Sequence, residues 1–265
     1  MNAHLHSKRT DFLILIGLVV VGYIYSRLTT GLYIGRDLFG AIIFCLPGTI
    51  YLGLRAPKPW KKILLSTLIF GVVFGSFFEF LQQYNLSYVS TSTVFPKIFG
   101  VLAIDATLWH VFMATFVLTF YEHFINRDKY KTISRRALPV LIIGLIVFLV
   151  TVILYYVHPS SLHFKYAYVD FGTLAVLPVF LLAYKKPQYI KDMTLIAPFF
   201  LFLYLVIEWV GVPRHWWIYT GHAYLGFVSI QSLRFPLEEL LYWMLLYPAA
   251  LVSYYKIFID RPTKT

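Results

Sequence analysis

Apolar residues run in long blocks along this chain, and short clusters of charge separate them. A membrane-crossing helix needs about 20 mostly apolar residues. Eight stretches meet that need, at 12–29, 38–54, 63–83, 98–122, 138–157, 167–184, 193–210 and 235–258. The second and sixth are short and carry Pro47 and Pro178. Lys8 and Arg9 precede the first stretch as in a signal peptide, but it reaches Arg27 without a small-residue cleavage site. An uncleaved first helix is therefore expected.

The basic residues alternate from side to side. Seventeen of the 23 Lys and Arg fall at the N-terminus, in the even-to-odd loops and at the C-terminus, and six fall in the other loops. By the positive-inside rule this places both termini in the cytoplasm of a multi-pass cell-membrane protein. The net charge of +11 is then a topology signal. Arg127, Lys129, Lys131, Arg135 and Arg136 form a middle loop suited to anionic lipid headgroups, so no nucleic-acid partner is expected.

Composition agrees. Apolar residues make up 59% and charged residues 13%, against about 25% charged in soluble domains. The expected fold is all-α, a polytopic bundle of about eight transmembrane helices. Cys45 is the only cysteine, which excludes a disulfide scaffold and a Cys-based metal site.

The two halves resemble each other. Glu79 and Glu208 each stand near the end of a span and precede an aromatic loop, Tyr84 to Tyr88 or Trp216-Trp217-Ile218-Tyr219. The following spans pair Asp105 with Trp109 and Glu239 with Trp243, and Asp37 and Asp170 open spans two and six. Residues 1–125 and 138–265 thus read as two parallel four-helix repeats joined by a basic linker at 126–137.

Seven of the 12 acids map to the extracytoplasmic ends of spans: Asp37, Glu79, Asp105, Asp170, Glu208, Glu238 and Glu239. The other five, Asp11, Glu122, Asp128, Asp192 and Asp260, sit at cytoplasmic ends, where solvation is expected. Acids within spans are costly and normally face a bundle interior. Asp37 and Asp170 suit helix caps, and Pro236-Leu237-Glu238-Glu239 is good helix-start chemistry. Glu79 and Glu208 lie near helix C-termini, where the dipole disfavours a carboxylate. A neutral carboxylic acid beside aromatic faces is suited to protonating an electron-rich alkene and stabilising the resulting cation. Trp216, Trp217 and Tyr219 read equally as an interfacial belt or a pocket lining, and Trp109 and Trp243 as core or pocket. His215 and His222 read as exposed loop or proton relay, and His4 and His6 as tail. No His cluster for iron and no diphosphate or nucleotide motif is present.

From Glu208 to Trp243 the chain resembles the lycopene cyclase domain family of the heterodimeric or fused type. Trp216-Trp217-Ile218-Tyr219, Gly226 and Phe235-Pro236-Leu237-Glu238-Glu239-Leu240-Leu241-Tyr242-Trp243 carry the resemblance. Ala103-Ile104-Asp105 stands where the first half should repeat the Pro-x-Glu-[Glu/Asp] signature, without the Pro and with one acid. Glu208-Trp209-Val210-Gly211 is also similar to bacterial carotenoid hydratases. The resemblance implies acid-initiated cyclisation of a linear carotene end group, with no cofactor and no metal. Glu239, Glu238, Glu208, Glu79 and Asp105 would be catalytic. Trp216, Trp217, Tyr219, Trp243 and Trp109 would bind a hydrophobic polyene taken from the lipid phase. A hydratase, another membrane terpenoid cyclase, and a proton- or cation-coupled transporter remain alternatives, and a homo-oligomer stays open.

Overall fold

A computed structural model describes residues 2–29, 36–55, 58–91, 93–126, 132–231 and 233–261. The chain is mostly helical, and seven helices among the described residues are long and apolar enough to cross a membrane. They are α1 (Asn2–Leu28), α2 (Asp37–Arg55), α3 (Trp60–Tyr84), α4 (Ile104–Asn126), α5 (Ala137–Val157), α6 (Ala167–Lys185) and α7 (Tyr189–Arg214). A further helical run, α8, covers residues 237–259. Asp128 of the middle loop, and the side chains of His4 and His6, lie outside what is described.

The helices form because their long apolar blocks can satisfy the backbone only internally in lipid. Pro47 breaks α2 at Cys45, since proline lacks the N–H that would bond Ile43. Pro178 is carried inside α6. The third helix contains a wide turn at Thr67–Val73 and the eighth one at Glu239–Leu246. Helix α5 turns Ile142, Ile143, Ile146, Leu149, Val150 and Ile153 outward, a face fit for lipid.

Several span edges differ from the sequence expectation, and the first helix already runs from Asn2 rather than residue 12. The fourth helix starts at Ile104, because residues 98–102 close a tight turn in which Ile98 pairs with Leu102 and Phe99 and Gly100 take positive φ. The eighth starts after a hairpin of β4 (Phe227–Ile230) and β5 (Leu233–Pro236), so Phe235 and Pro236 belong to a strand.

Three of the acids assigned to the cytoplasmic end are not solvated. Asp11, Glu122 and Asp260 are buried. Asp11 accepts from Tyr51 at 2.6 Å, Arg55 at 2.8 Å and His123 at 2.9 Å. Lys62 bonds Asp260 at 2.8 Å, and Tyr255 donates to Glu122 at 2.5 Å. The partly exposed Asp192 takes Lys256 at 3.0 Å. Helix packing keeps water away from these groups, so they pair with one another instead. Lys8 donates to the Phe124 carbonyl at 2.9 Å, and β6 (Asp260–Arg261) pairs with β2 (Thr132–Ile133) beside that helix end. The two ends of the described chain therefore lie at the same end of the bundle.

Candidate active site

At the opposite end, the third and seventh helices each finish in an aromatic loop, and the two loops pair. Strand β1 (Val89–Ser90) runs antiparallel to β3 (Trp217–Ile218), with Ser90 opposite Trp217. Thr91 N–H donates to the Trp216 carbonyl at 3.2 Å, and Thr220 Oγ1 donates to the Leu86 carbonyl at 2.7 Å. Tyr224 donates to the Ser87 carbonyl. Gly211 lets the seventh helix end against this cover, since a Cβ there would stand 2.6 Å from Trp217 Cη2.

Beneath the paired loops lies a cavity of about 620 Å³, counting its open mouth. Glu79, Trp109, Glu208, Trp217, Tyr219, Glu239 and Trp243 line it, as do Asp37, Gln82, Tyr88, His110, Tyr168 and Tyr204. Among the described residues, no Lys or Arg lines it. Its carboxylates are therefore held by hydroxyls, an amide and an imidazole.

Glu239 Oε2 accepts from the Tyr168 hydroxyl. Tyr219 donates to Glu208 Oε1 at 3.2 Å, stands within reach of Glu239, and receives Trp217 Nε1–H at 3.1 Å. Burial first, then the charges of Glu208 and Glu239, push the Tyr219 phenol well above its ordinary range, so it stays a donor. Glu208 Oε2 and Trp243 Nε1 are buried without a hydrogen-bond partner among the described residues. The Trp243 indole stacks on Tyr168 with centroids 6.3 Å apart, and Trp109 meets Tyr204 edge-on at 6.1 Å. Such faces offer negative π density to a cation.

Three expected site residues stand elsewhere. Asp105 accepts the Val94 N–H at 2.5 Å, and Glu238 accepts the Leu225 N–H at 2.5 Å. Each acid opens its helix and ties down the preceding turn. Asp105 and Glu238 thus make matching bonds, each to a backbone N–H of the segment before its helix. Trp216 is buried under the cover, edge-on to Phe39 at 5.8 Å and pressed on Gly40, where a Cβ would lie 3.1 Å away.

Asp37 and Asp170 part company. Asp170 is exposed, in keeping with a helix start, whereas Asp37 lines the cavity and accepts from Ser90 Oγ at 2.5 Å. His215 and His222 are exposed. The histidine of the site is His110, which the sequence hid between Trp109 and Val111 on an apolar helix. Tyr168 and Tyr204 were equally hidden, as ordinary aromatics within spans. Among the described residues, no group of three His, Cys, Asp or Glu is placed to hold a metal.

Comparison with protein-family models, curated proteins and solved structures gives no match to this chain.

Proposed function

We propose that this chain is an integral-membrane enzyme that cyclises the end group of a linear, carotene-like polyene by acid initiation. One observation carries the reading. Three glutamates from different helices share a cavity with three tryptophans, and no Lys or Arg among the described residues lines it.

Glu239 and Glu208, linked through Tyr219, hold the proton that starts the reaction. Its transfer to a terminal alkene carbon forms a C–H bond and leaves a tertiary cation. Attack by the neighbouring double bond forms the ring C–C bond. Return of a proton from an adjacent carbon to the carboxylate restores the alkene and the acid. The sequence is redox-neutral and calls for no cofactor. Trp109, Trp217 and Trp243 face the cation, and apolar walls keep water from it.

The loop pairing and the matched roles of Asp105 and Glu238 support two parallel repeats. In that arrangement only the second half supplies the second acid of the signature, so the two halves serve one end group unequally. Met113, Phe116, Phe200 and Leu203 are fully buried one or two turns further along the fourth and seventh helices. That packed floor favours an enzyme over a conduction path.

The test is to express the chain in a lycopene-accumulating host and separate the extracted pigments. The reading expects a cyclised product of unchanged mass, and unaltered lycopene at normal membrane abundance contradicts it.

A further inference from the structure

The first half contributes a second arrangement to the cavity, and the reaction steps above leave it without a role. His110 is buried one turn below Asp105, with both ring nitrogens engaged. Its Nε2 lies 2.8 Å from Glu79 Oε1, and its Nδ1 lies 2.9 Å from the Tyr247 hydroxyl. Glu79 Oε2 accepts from Gln83 Nε2 at 2.9 Å and from the Tyr88 hydroxyl. Gly75 makes the contact feasible, since a Cβ there would lie 3.0 Å from His110 Cβ. The third and fourth helices can therefore approach closely enough for the pair to form.

An ionised carboxylate only accepts hydrogen bonds, so the proton between the two residues belongs to His110 Nε2. In the Nε2–H tautomer, Nδ1 is the acceptor for Tyr247 O–H. Glu79 thus faces three donors: His110 Nε2, Gln83 Nε2 and the Tyr88 hydroxyl. Neither ring nitrogen of His110 is left free to remove a proton from substrate. Glu208 differs, because its Oε2 carries no partner among the described residues.

We infer that His110 is a positioning residue that holds Glu79 as a fixed carboxylate facing the cavity, with Tyr247 selecting the Nε2–H tautomer. This rests on the proposed reaction, in which Glu79 supplies the counter-charge for the cation while Glu208 and Glu239 handle the proton. A preorganised charge of this kind lowers the barrier without reorganising during the reaction.

Two measurements on the full chain test it. The first needs no substrate: nitrogen-15 spectra of the His-labelled protein in lipid nanodiscs, with His110 assigned by its loss in His110→Gln. The expected spectrum at neutral pH shows one protonated nitrogen, Nε2, and one unprotonated nitrogen. An imidazolium, or an Nδ1–H ring, overturns the inference whatever the protein converts.

The second measurement is pigment conversion divided by membrane abundance. Gln at 110 keeps an N–H near the Nε2 position, whereas Leu keeps only bulk. His110→Leu should lose about tenfold or more, and His110→Gln should recover a substantial part of that loss. Equal loss in both variants would make His110 a proton carrier, and full activity in Leu would leave it without a role; either result overturns the inference. If the unaltered chain converts no carotenoid, the reaction reading fails, and the spectra still decide the His110–Glu79 pair.

Discussion

Ser90 and Trp217 are strand partners, although 127 positions separate them in the chain. The loop that follows Glu79 and the loop that follows Glu208 are consequently one cover over one cavity. Ser90 also donates to Asp37, and Trp217 to Tyr219, so the ladder ties both halves to the carboxylates below it.

This relationship gives the first prediction. Directly opposed residues on an antiparallel pair have Cβ atoms about 4.5–5.5 Å apart, close to what a disulfide spans. Ser90→Cys combined with Trp217→Cys should cross-link under mild oxidation, read as a link between two peptides in non-reducing digests. Efficient maleimide labelling of both cysteines without any cross-link would show that the loops do not pair.

The second prediction concerns helix-start acids. Asp105→Ala removes the acceptor for Val94 N–H and should cost about 1.5–3 kcal/mol, the range for hydrogen bonds to charged groups. Asp105→Asn keeps an acceptor oxygen and should cost less. Conversion per folded molecule should stay near normal in both, as it should in Glu238→Gln. A collapse of conversion in Asp105→Asn at full abundance would return Asp105 to the catalytic group.

The spans were legible in the sequence because lipid imposes length and apolarity on any crossing helix. Glu79, Glu208 and Glu239 stood out for a similar reason, as acids inside such helices without cations nearby. His110, Tyr168 and Tyr204 did not stand out, because a lone ring on an apolar helix looks like core until its partners across the bundle are known. Asp37 does stand in the first turn of its helix, and its place at the cavity was hidden because its Ser90 partner comes from a distant loop. Asp11, Glu122 and Asp260 looked solvated because their cationic partners are remote in sequence.

The third prediction tests that buried ion-paired end. Lys62→Ala leaves Asp260 without its 2.8 Å partner. Removing one member of a buried pair typically costs about 3–5 kcal/mol. The variant should therefore melt well below the unaltered protein in detergent, while Arg55→Ala should shift less, because Tyr51 and His123 still hold Asp11. Equal Tm values for Lys62→Ala and the unaltered chain would mean that this end is hydrated.

The fourth prediction is topological. Lys8 reaches Phe124 and Asp260 bonds Lys62 at the same end of the bundle, as an even number of crossings would produce. With the helical run 237–259 as the eighth crossing and 17 of 23 basic residues on that side, reporters fused at both termini should read cytoplasmic. Opposite compartments would remove one crossing and with it the four-plus-four arrangement.

The central claim is that a carboxyl proton from Glu239 or Glu208 is added to an alkene carbon. Glu239→Gln and Glu208→Gln should each abolish conversion at normal abundance, whereas a mere helix-start role for Glu239 would cost only about 0.3–1 kcal/mol of stability. The most direct measurement is the mass of the product formed in deuterated water. Carboxyl protons exchange with solvent, so each closed ring should gain one carbon-bound deuteron, and neither glutamine variant should yield that labelled product. A ring formed without deuterium, or labelled product at full yield from Glu239→Gln, would contradict the account.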